Sequence, residues 1–378
     1  MAIEGEIEVM LHWDGRRTQR VAVRSTRPSG AARIAIGRRP ADAARLLPTL
    51  YAICGHAQRA AATAALCAAG AEIDKPAPTA TAVQLEAMQE GFWRLLIDVP
   101  RALDLAPETA AVAAVRARVA RVIEHVRARP EAARATVLEA TTALDAAARE
   151  LVFGREPAAW LADMDLAAYD RWCETGATLP ARSLSKLVQL APGLGRSDTP
   201  PMPAVEGSGW TAVVQALWRD PAFAGAPTWD GVAVETGPLS PQREQRLVAA
   251  LIARDGRCAT TRIAARLVEL ARLFEALRHE EREPSDAVRA WRLDKDGGIA
   301  AVQTARGLLL HAARIDGERV TDYRIVAPTD WNFHPDGARA RGLGGLEADP
   351  AAARAQRTGL AGHALDPGGA SRVEVARP

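Results

Sequence analysis

The chain has 378 residues, room for one large domain or two modest ones, and its 48% hydrophobic and 25% charged content suits an ordinary globular core. A formal net charge of +2 is too small to meet a phosphate backbone, which argues against nucleic acid as a partner. The four cysteines (Cys54, Cys67, Cys173 and Cys258) form no Cys-x-x-Cys pair, and neither a secretory signal nor an apolar run of membrane length is visible. The expectation is a cytoplasmic protein with no disulfide framework, no zinc site and no membrane contact.

Alternating Ile3, Ile7, Val9 and Val21, Val23 around Asp14-Gly15 predict a β-hairpin. Residues 40–50 then turn helical. Gly55 interrupts that pattern just after Cys54, and a second, Ala-rich helix should end at Gly70. From Val83 onward, Met88, Phe92, Leu95, Leu96 and Val99 recur at spacings of three and four and predict a helix with one buried face. Two more helices are expected over 107–127, with Pro107 in the first helical position, and over 131–151. In the latter, Leu138, Leu144, Ala148 and Leu151 make the buried stripe, and Thr141 bonds a carbonyl one turn back.

Residues 191–210 are rich in Pro, Gly and Ser and read as a loop. Ser240-Pro241 is a good helix start, with Gly256 as the stop, and a further helix over 260–279 buries Ile263, Leu267, Leu270, Phe274 and Leu277. Period two returns in 299–304 and 307–315, and Asp316-Gly317 turns into 320–326. The last forty residues show no clear period. The sum is an α+β, mainly helical protein in a single domain. It comprises an N-terminal β part over 1–30, a helical body over 40–290, a C-terminal β part over 298–345 and a poorly defined tail over 346–378.

Five segments, in order, carry a resemblance. Gly37 to Ala43 leads into Ile53-Cys54-Gly55, Glu235 to Leu239 looks like "EVGPL", and Gln303 to His311 looks like "EAPRGxLxH". Pro328 to Asn332 looks like "PTTWN", and Leu365-Asp366-Pro367 looks like "FDP". Together they resemble the large subunit of nickel–iron hydrogenases, in the degenerate form of the hydrogenase expression/formation (maturation) proteins of the HupK/HoxV type. The resemblance implies a large-subunit-like fold over the whole chain.

It also implies what is missing. Active large subunits hold nickel and iron through two Cys-x-x-Cys pairs, since soft thiolates suit and bridge these metals. Here the first pair reads Cys54-Gly55-His56-Ala57 and the second Gly368-Gly369-Ala370-Ser371, so one thiol of four remains. The family's proton-transfer Glu falls on Ala32, and the chain stops soon after the last motif, without room for the long extension that a maturation protease removes. A stable nickel–iron centre and hydrogenase activity are therefore not expected, and the chain reads as a non-enzyme.

What is kept implies a role. In the family, the Arg of "PRG" and the Pro-Thr of "PTTWN" surround the cyanide and carbonyl ligands of the iron, which places Arg306, Pro328 and Thr329 in a binding pocket with Cys54. Anionic cyanide nitrogens need donors in a dry site, and a guanidinium fork and a hydroxyl supply them. The expected function is a scaffold or carrier for a transient Fe(CN)2(CO) fragment, with maturation chaperones and the hydrogenase large subunit as partners. The alternative is a metal-free chaperone that mimics the large subunit.

Blander readings stand beside these. Cys54 is otherwise a small buried hydrophobe, and His56, which could join it as a Cys-x-His pair of metal ligands, is otherwise a helix-start histidine. Arg306 could instead pair with a buried carboxylate. Cys67, Cys173 and Cys258 read as core, His311 and His334 as satisfied structural histidines, and Asn332 as an amide tying down a turn.

Overall fold

Ile7, Val9, Leu11 and Trp13 point inward along β1 (Ile7–Trp13), which pairs antiparallel with β2 (Thr18–Ser25), Val9 opposite Val23. This is the expected hairpin. The computed structural model describes residues 5–27, 30–50, 54–73, 79–129, 132–205, 207–279, 287–347, 351–369 and 371–376; Ile3 and Ile53 lie outside them.

Helices follow: α1 (Pro40–Leu46), α2 (Gly55–Ala68), α3 (Thr79–Trp93), then a π-helical turn over Arg94–Asp98 that runs on into α4 (Val99–Ala102). After them come α5 (Thr109–Ala128), α6 (Ala133–Ala148), α7 (Pro157–Asp163), α8 (Leu166–Thr175) and α9 (Leu179–Leu190). Beyond the expected loop lie α10 (Thr211–Arg219), α11 (Leu239–Gln242), α12 (Arg246–Asp255) and α13 (Ala259–His279). Met88, Phe92, Leu95, Leu96 and Val99 are all buried in the main core, together with the inner faces of α5, α6, α9 and α13.

A second sheet runs in the order β3 (Val288–Arg292), β4 (Gly297–Thr304), β5 (Gly307–Asp316), β6 (Arg319–Val326), antiparallel throughout. Both of its faces are covered. Ala300, Val302, Leu309 and Ala313 pack on the Ala-rich α2, while Ile299, Ala301, Leu310 and Ala312 meet Trp210, Val214 and Trp331. A strand buried on both sides reads as a continuous apolar run, as in β4.

Several expectations are corrected. The helix after Pro107 begins at Thr109, because the Glu108 N–H donates outward to the Leu96 carbonyl at 2.9 Å. In α6 the stripe is Val137, Ala140, Thr141, Leu144 and Ala148, so Leu138 faces out at 38% exposure; Thr141 does bond the Val137 carbonyl at 2.7 Å. Ser240 does not cap a long helix: its hydroxyl donates to the Glu235 carbonyl at 2.8 Å, and α12 starts only at Arg246. β3 had no counterpart in the sequence reading.

α14 (Pro328–Asn332) and α15 (Ala338–Leu343) follow the sheet, and the tail is ordered into α16 (Ala351–Leu365) and β7 (Ser371–Ala376). α16 is built of Ala, Gly and Thr that bury on several sides, so no apolar/polar contrast marked it. β7 lies parallel to β1, Val373 opposite Val9, and makes β1 the middle strand of three.

Gly298 sets how closely α2 approaches the sheet, since an added Cβ would fall on the backbone of Ala65 and Ala69. Gly298→Ala is expected to cost about 1–3 kcal/mol by overpacking. Gly359→Ala in α16 meets nothing within 4 Å and should be neutral or stabilising. Urea unfolding of the two variants checks this, and equal midpoints would refute it.

Candidate functional site

Cys54 is the residue before the first turn of α2, and its side chain does not cap that helix. The cap comes from α3 instead: the Glu86 carboxylate accepts from the backbone N–H of His56 and of Ala57, each at 3.0 Å. The cysteine sulfur is thereby left to the cavity behind it. Gln58, one turn on, donates to Cys54 Sγ at 3.7 Å and accepts at Oε1 from His311 Nε2 at 2.9 Å. His311 Nδ1 in turn meets the Tyr323 hydroxyl at 2.7 Å. Burial holds His311 down to about 3, so the ring is neutral and the relay fixes its tautomer.

Arg306 stands in the tight turn between β4 and β5. Thr304 Oγ1 accepts from the Arg306 N–H at 3.1 Å and donates to the Gly307 carbonyl at 2.9 Å. Gly307, at φ +121°, lies where a Cβ would strike the backbone of Thr236. Pro328 opens α14, where Asp330 accepts from the Ala327 N–H at 2.7 Å. Thr329 follows, and its Oγ1 accepts from Arg27 Nη1 at 2.6 Å; Arg27 Nη2 donates to the Pro367 carbonyl at 2.7 Å.

These elements enclose a cavity of about 370 Å³ lined by Cys54, Arg306, Pro328, Thr329, Arg27 and the Gly368-Gly369 pair. The four binding candidates chosen from the sequence thus meet in one chamber. His56 does not join them. It lines a different cavity, beyond Glu90 and Arg94, and its Nδ1 contacts Arg127 Nη2 at 3.1 Å. The Cys-x-His pair is therefore not assembled, because residue 56 already lies in the helix and turns away. Gly368, at φ +63°, leaves room beside Arg306: a Cβ there would lie 2.8 Å from Arg306 Cδ.

Behind the chamber sits a buried charge cluster. Asp366, itself left-handed at φ +59°, receives Arg94 Nη2 at 2.7 Å, Arg266 Nη2 at 3.2 Å and Arg306 Nε at 3.4 Å. Arg306 Nη2 also reaches Glu90 Oε2 at 2.7 Å. Burial would raise the Asp366 carboxyl, but Arg94, Arg306 and Arg266 hold it below the ordinary carboxylate range. Burial also opposes the Arg306 charge, which Asp366 and Glu90 keep in place. Asn332 ties the motifs together: Oδ1 accepts from the Thr236 N–H at 2.8 Å and Nδ2 donates to the Arg306 carbonyl at 3.0 Å and the Leu365 carbonyl at 3.5 Å. It does more than secure a turn.

Arg27, Gln58, Glu86, Glu90 and Arg94 were not singled out from the sequence. One signal was present: Glu86, Glu90, Arg94 and Asp98 recur every four residues on a helix whose other positions are apolar. A charged stripe on a buried helix needs partners, and here it finds them. Arg27 gave no signal, since it precedes a segment without periodicity.

Burial pushes the Cys54 thiol up to about 11, outweighing the pull of Arg306, so the sulfur is protonated near neutral pH. A thiol, a guanidinium fork and a hydroxyl can together hold one soft metal bearing anionic diatomic ligands. Among the described residues, no group of three or more His, Cys, Asp or Glu is placed to hold a metal ion. One sulfur cannot supply the four thiolates of a nickel–iron pair; with the guanidinium and the hydroxyl beside it, it offers one soft donor and two hydrogen-bond donors.

Residues 244–349 match the nickel-dependent hydrogenase family model, a span that includes Arg306, Pro328 and Thr329. The hydrogenase expression/formation protein HupK of Rhizobium leguminosarum bv. viciae is 30% identical over 338 residues, covering 84% of this chain and 82% of the relative. The chain belongs to the HupK/HoxV family of hydrogenase expression/formation proteins. HoxV of Cupriavidus necator is 29% identical over 90% of this chain and 89% of its own, and HupV of Azotobacter chroococcum is 30% identical over 90% of each. Among solved structures, a NiFeSe hydrogenase variant from Desulfovibrio vulgaris Hildenborough gives a TM-score of 0.58 at 16% identity, covering 94% of both chains. The NiFeSe hydrogenase of Desulfomicrobium baculatum gives 0.55 at 14% identity, covering 94% and 95%. The family fold is thus that of a hydrogenase large subunit. Among the described residues, no helix is long and apolar enough to cross a membrane.

Two outcomes follow from this geometry. Burial lifts Glu86 from its ordinary 4.5 to about 7, against the two backbone N–H groups and Arg306. The folded state therefore holds a proton the unfolded state loses, so this contribution is full below 4.5 and fades as pH rises through 7. Glu86→Gln should flatten the fall in unfolding free energy across that window; an unchanged slope would show that Glu86 does not titrate there. Asn332→Ala should cost about 1–3 kcal/mol by stranding the buried Thr236 N–H and Arg306 carbonyl, and chemical denaturation within about 0.5 kcal/mol of the parent would contradict it.

Proposed function

We propose that this protein is a non-catalytic assembly factor that receives an iron–dicyanide–carbonyl fragment, holds it in the Cys54–Arg306–Thr329 chamber and releases it for nickel–iron hydrogenase maturation. The supporting observation is the convergence of one thiol, a clamped guanidinium and a hydroxyl on one cavity, with Gly368-Gly369 where the resembling motif leads into its last cysteine pair. The single sulfur makes for a hold that can be undone. Because the empty thiol is protonated, binding the fragment expels that proton, and loading is favoured as pH rises.

The side chains have separable roles. Arg306 is held by Glu90 and Asp366, so it presents a fixed direction to a cyanide nitrogen. Thr329 accepts from Arg27, which leaves its own hydroxyl proton to donate into the chamber. Pro328 fixes the first turn of α14 and thus the position of that hydroxyl. The partners this role requires are the maturation chaperones that deliver the fragment and the hydrogenase large subunit that accepts it.

A second reading has its own support. The fold matches a hydrogenase large-subunit chain across nearly its whole length, which would let the protein occupy that subunit's chaperones without carrying metal. Infrared spectra of protein purified without oxygen from a hydrogenase-producing host separate the two. The carrier reading expects cyanide and carbonyl bands that vanish in Cys54→Ala, and a cyanide band that moves in Thr329→Val. Bands absent from a preparation still bound to its maturation partners would favour the metal-free chaperone.

A further inference from the structure

The mouth of the chamber carries side chains that the cargo itself does not use. From Arg24 to Pro40 the sequence holds five arginines and no acidic residue. Arg24 is exposed and lines the chamber, as does Ala31, the first residue of a 3-10 turn over Ala31–Ala35. Side chains three apart eclipse one another in such a turn, so Ile34 stands in line with Ala31 and carries the rim outward. Ile34 is 40% exposed and Ile36 39%; exposed Arg33 precedes the pair, and exposed Arg38 and Arg39 follow it.

Two of the five arginines are engaged. Arg27 is tied to Thr329 and Pro367, and Arg38 Nε donates to the Ile34 carbonyl at 2.8 Å. Arg24, Arg33 and Arg39 make no side-chain hydrogen bond or ion pair with a described residue. Nearby acids already have partners: Glu8, opposite Arg24 on β1, takes Arg372, Asp42 takes Arg45 and Asp322 takes Arg324. Glu318, before β6, and Glu4, outside the described residues, are too few to cancel the excess of positive charge.

We propose that this rim is the docking face for a protein partner with an acidic surface and an apolar centre, the partner that passes cargo through the mouth. The inference rests on the carrier reading of the chamber. Two exposed isoleucines among unpaired guanidinium groups have the make-up of an interface, an apolar centre with a charged rim that is complementary to acids opposite. A nucleic acid would use the arginines but not the isoleucines, and residues 24–40 include no aromatic ring for a base to stack on. An anionic lipid surface would use both, yet a polar iron fragment cannot pass from lipid into the chamber. A protein seated there also covers the mouth and shields the cargo from water during transfer.

The test uses the full chain purified without oxygen from a hydrogenase-producing host, beside its Arg24→Glu/Arg33→Glu and Ile34→Asp variants. All three positions are exposed, so thermal midpoints close to the parent's should show that the variants fold. Co-purifying partners are identified by mass spectrometry, and binding of the purified partner is titrated at low and high salt. The parent should hold a protein of acidic isoelectric point that is released as salt rises. Each variant should bind that protein roughly tenfold more weakly or worse, and its cyanide and carbonyl bands should fall in step. No acidic partner in the parent, or one that both variants hold as tightly, overturns the docking face. So does binding to phosphatidylserine vesicles that the charge reversal abolishes, since it would assign the rim to lipid. Bands missing from the parent would refute the carrier reading instead, while salt-sensitive partner binding lost in the variants would still support the docking face.

Discussion

Asp366 is a fully buried carboxylate on which three guanidinium groups converge: Arg94 from the turn after α3, Arg266 from α13 and Arg306 from the β4–β5 turn. Each comes from a segment remote in sequence, and none would be tolerated in the interior without an acid beside it. Taking Asp366 away would leave three positive charges in a dry core, with Glu90 and Asp98 still paired to Arg306 and Arg94. Such clusters add little net stability over apolar packing, because desolvation offsets most of the attraction. Their value lies in direction, and here the direction given is that of Arg306 into the cavity.

The other fixed points make sense against this cluster. Asn332 bonds the backbones of Thr236, Arg306 and Leu365, so the motif segments are held to one another by a single amide. Arg262 and Glu235 form a second buried pair, with both carboxylate oxygens within 2.8 Å and the Gly195 carbonyl taking a further N–H. The remaining thiol sits at the rim of this polar framework. It is anchored through Gln58 to a neutral histidine, while α2 beneath it is capped by Glu86 and kept near the sheet by Gly298. The chamber is thus the meeting point of helices that pack by small residues and charges that pack by pairing.

Much of this was legible in the sequence, and the parts that were not share physical causes. Period and spacing located α3, α13 and the first hairpin, because Leu, Val, Ile and Phe contrast sharply with their neighbours, while β4, buried on both faces, stood out as an apolar run. α16 escaped because Ala, Gly and Thr bury without that contrast, and β3 because Arg and Trp alternate there at a sheet edge. The chamber residues Cys54, Arg306, Pro328 and Thr329 came from motif resemblance. Arg27 and Gln58 complete the chamber through contacts across the fold that no local pattern encodes. The stripe Glu86, Glu90, Arg94, Asp98 was readable in principle, yet its partner Asp366 lies more than 260 residues away.

The parallel pairing of β7 with β1 brings the two ends of the described chain into one sheet. A contact between strands so far apart in sequence closes a very large loop and forms late, after local helices and hairpins. During synthesis the open edge of β1 must wait for Ser371–Ala376, exposed meanwhile to any other strand that can pair with it. Asp366 precedes β7 by only a few residues and arrives at the same late moment. Arg306 therefore has no complete set of counter-charges until Asp366 has been made, and the chamber takes shape only after that.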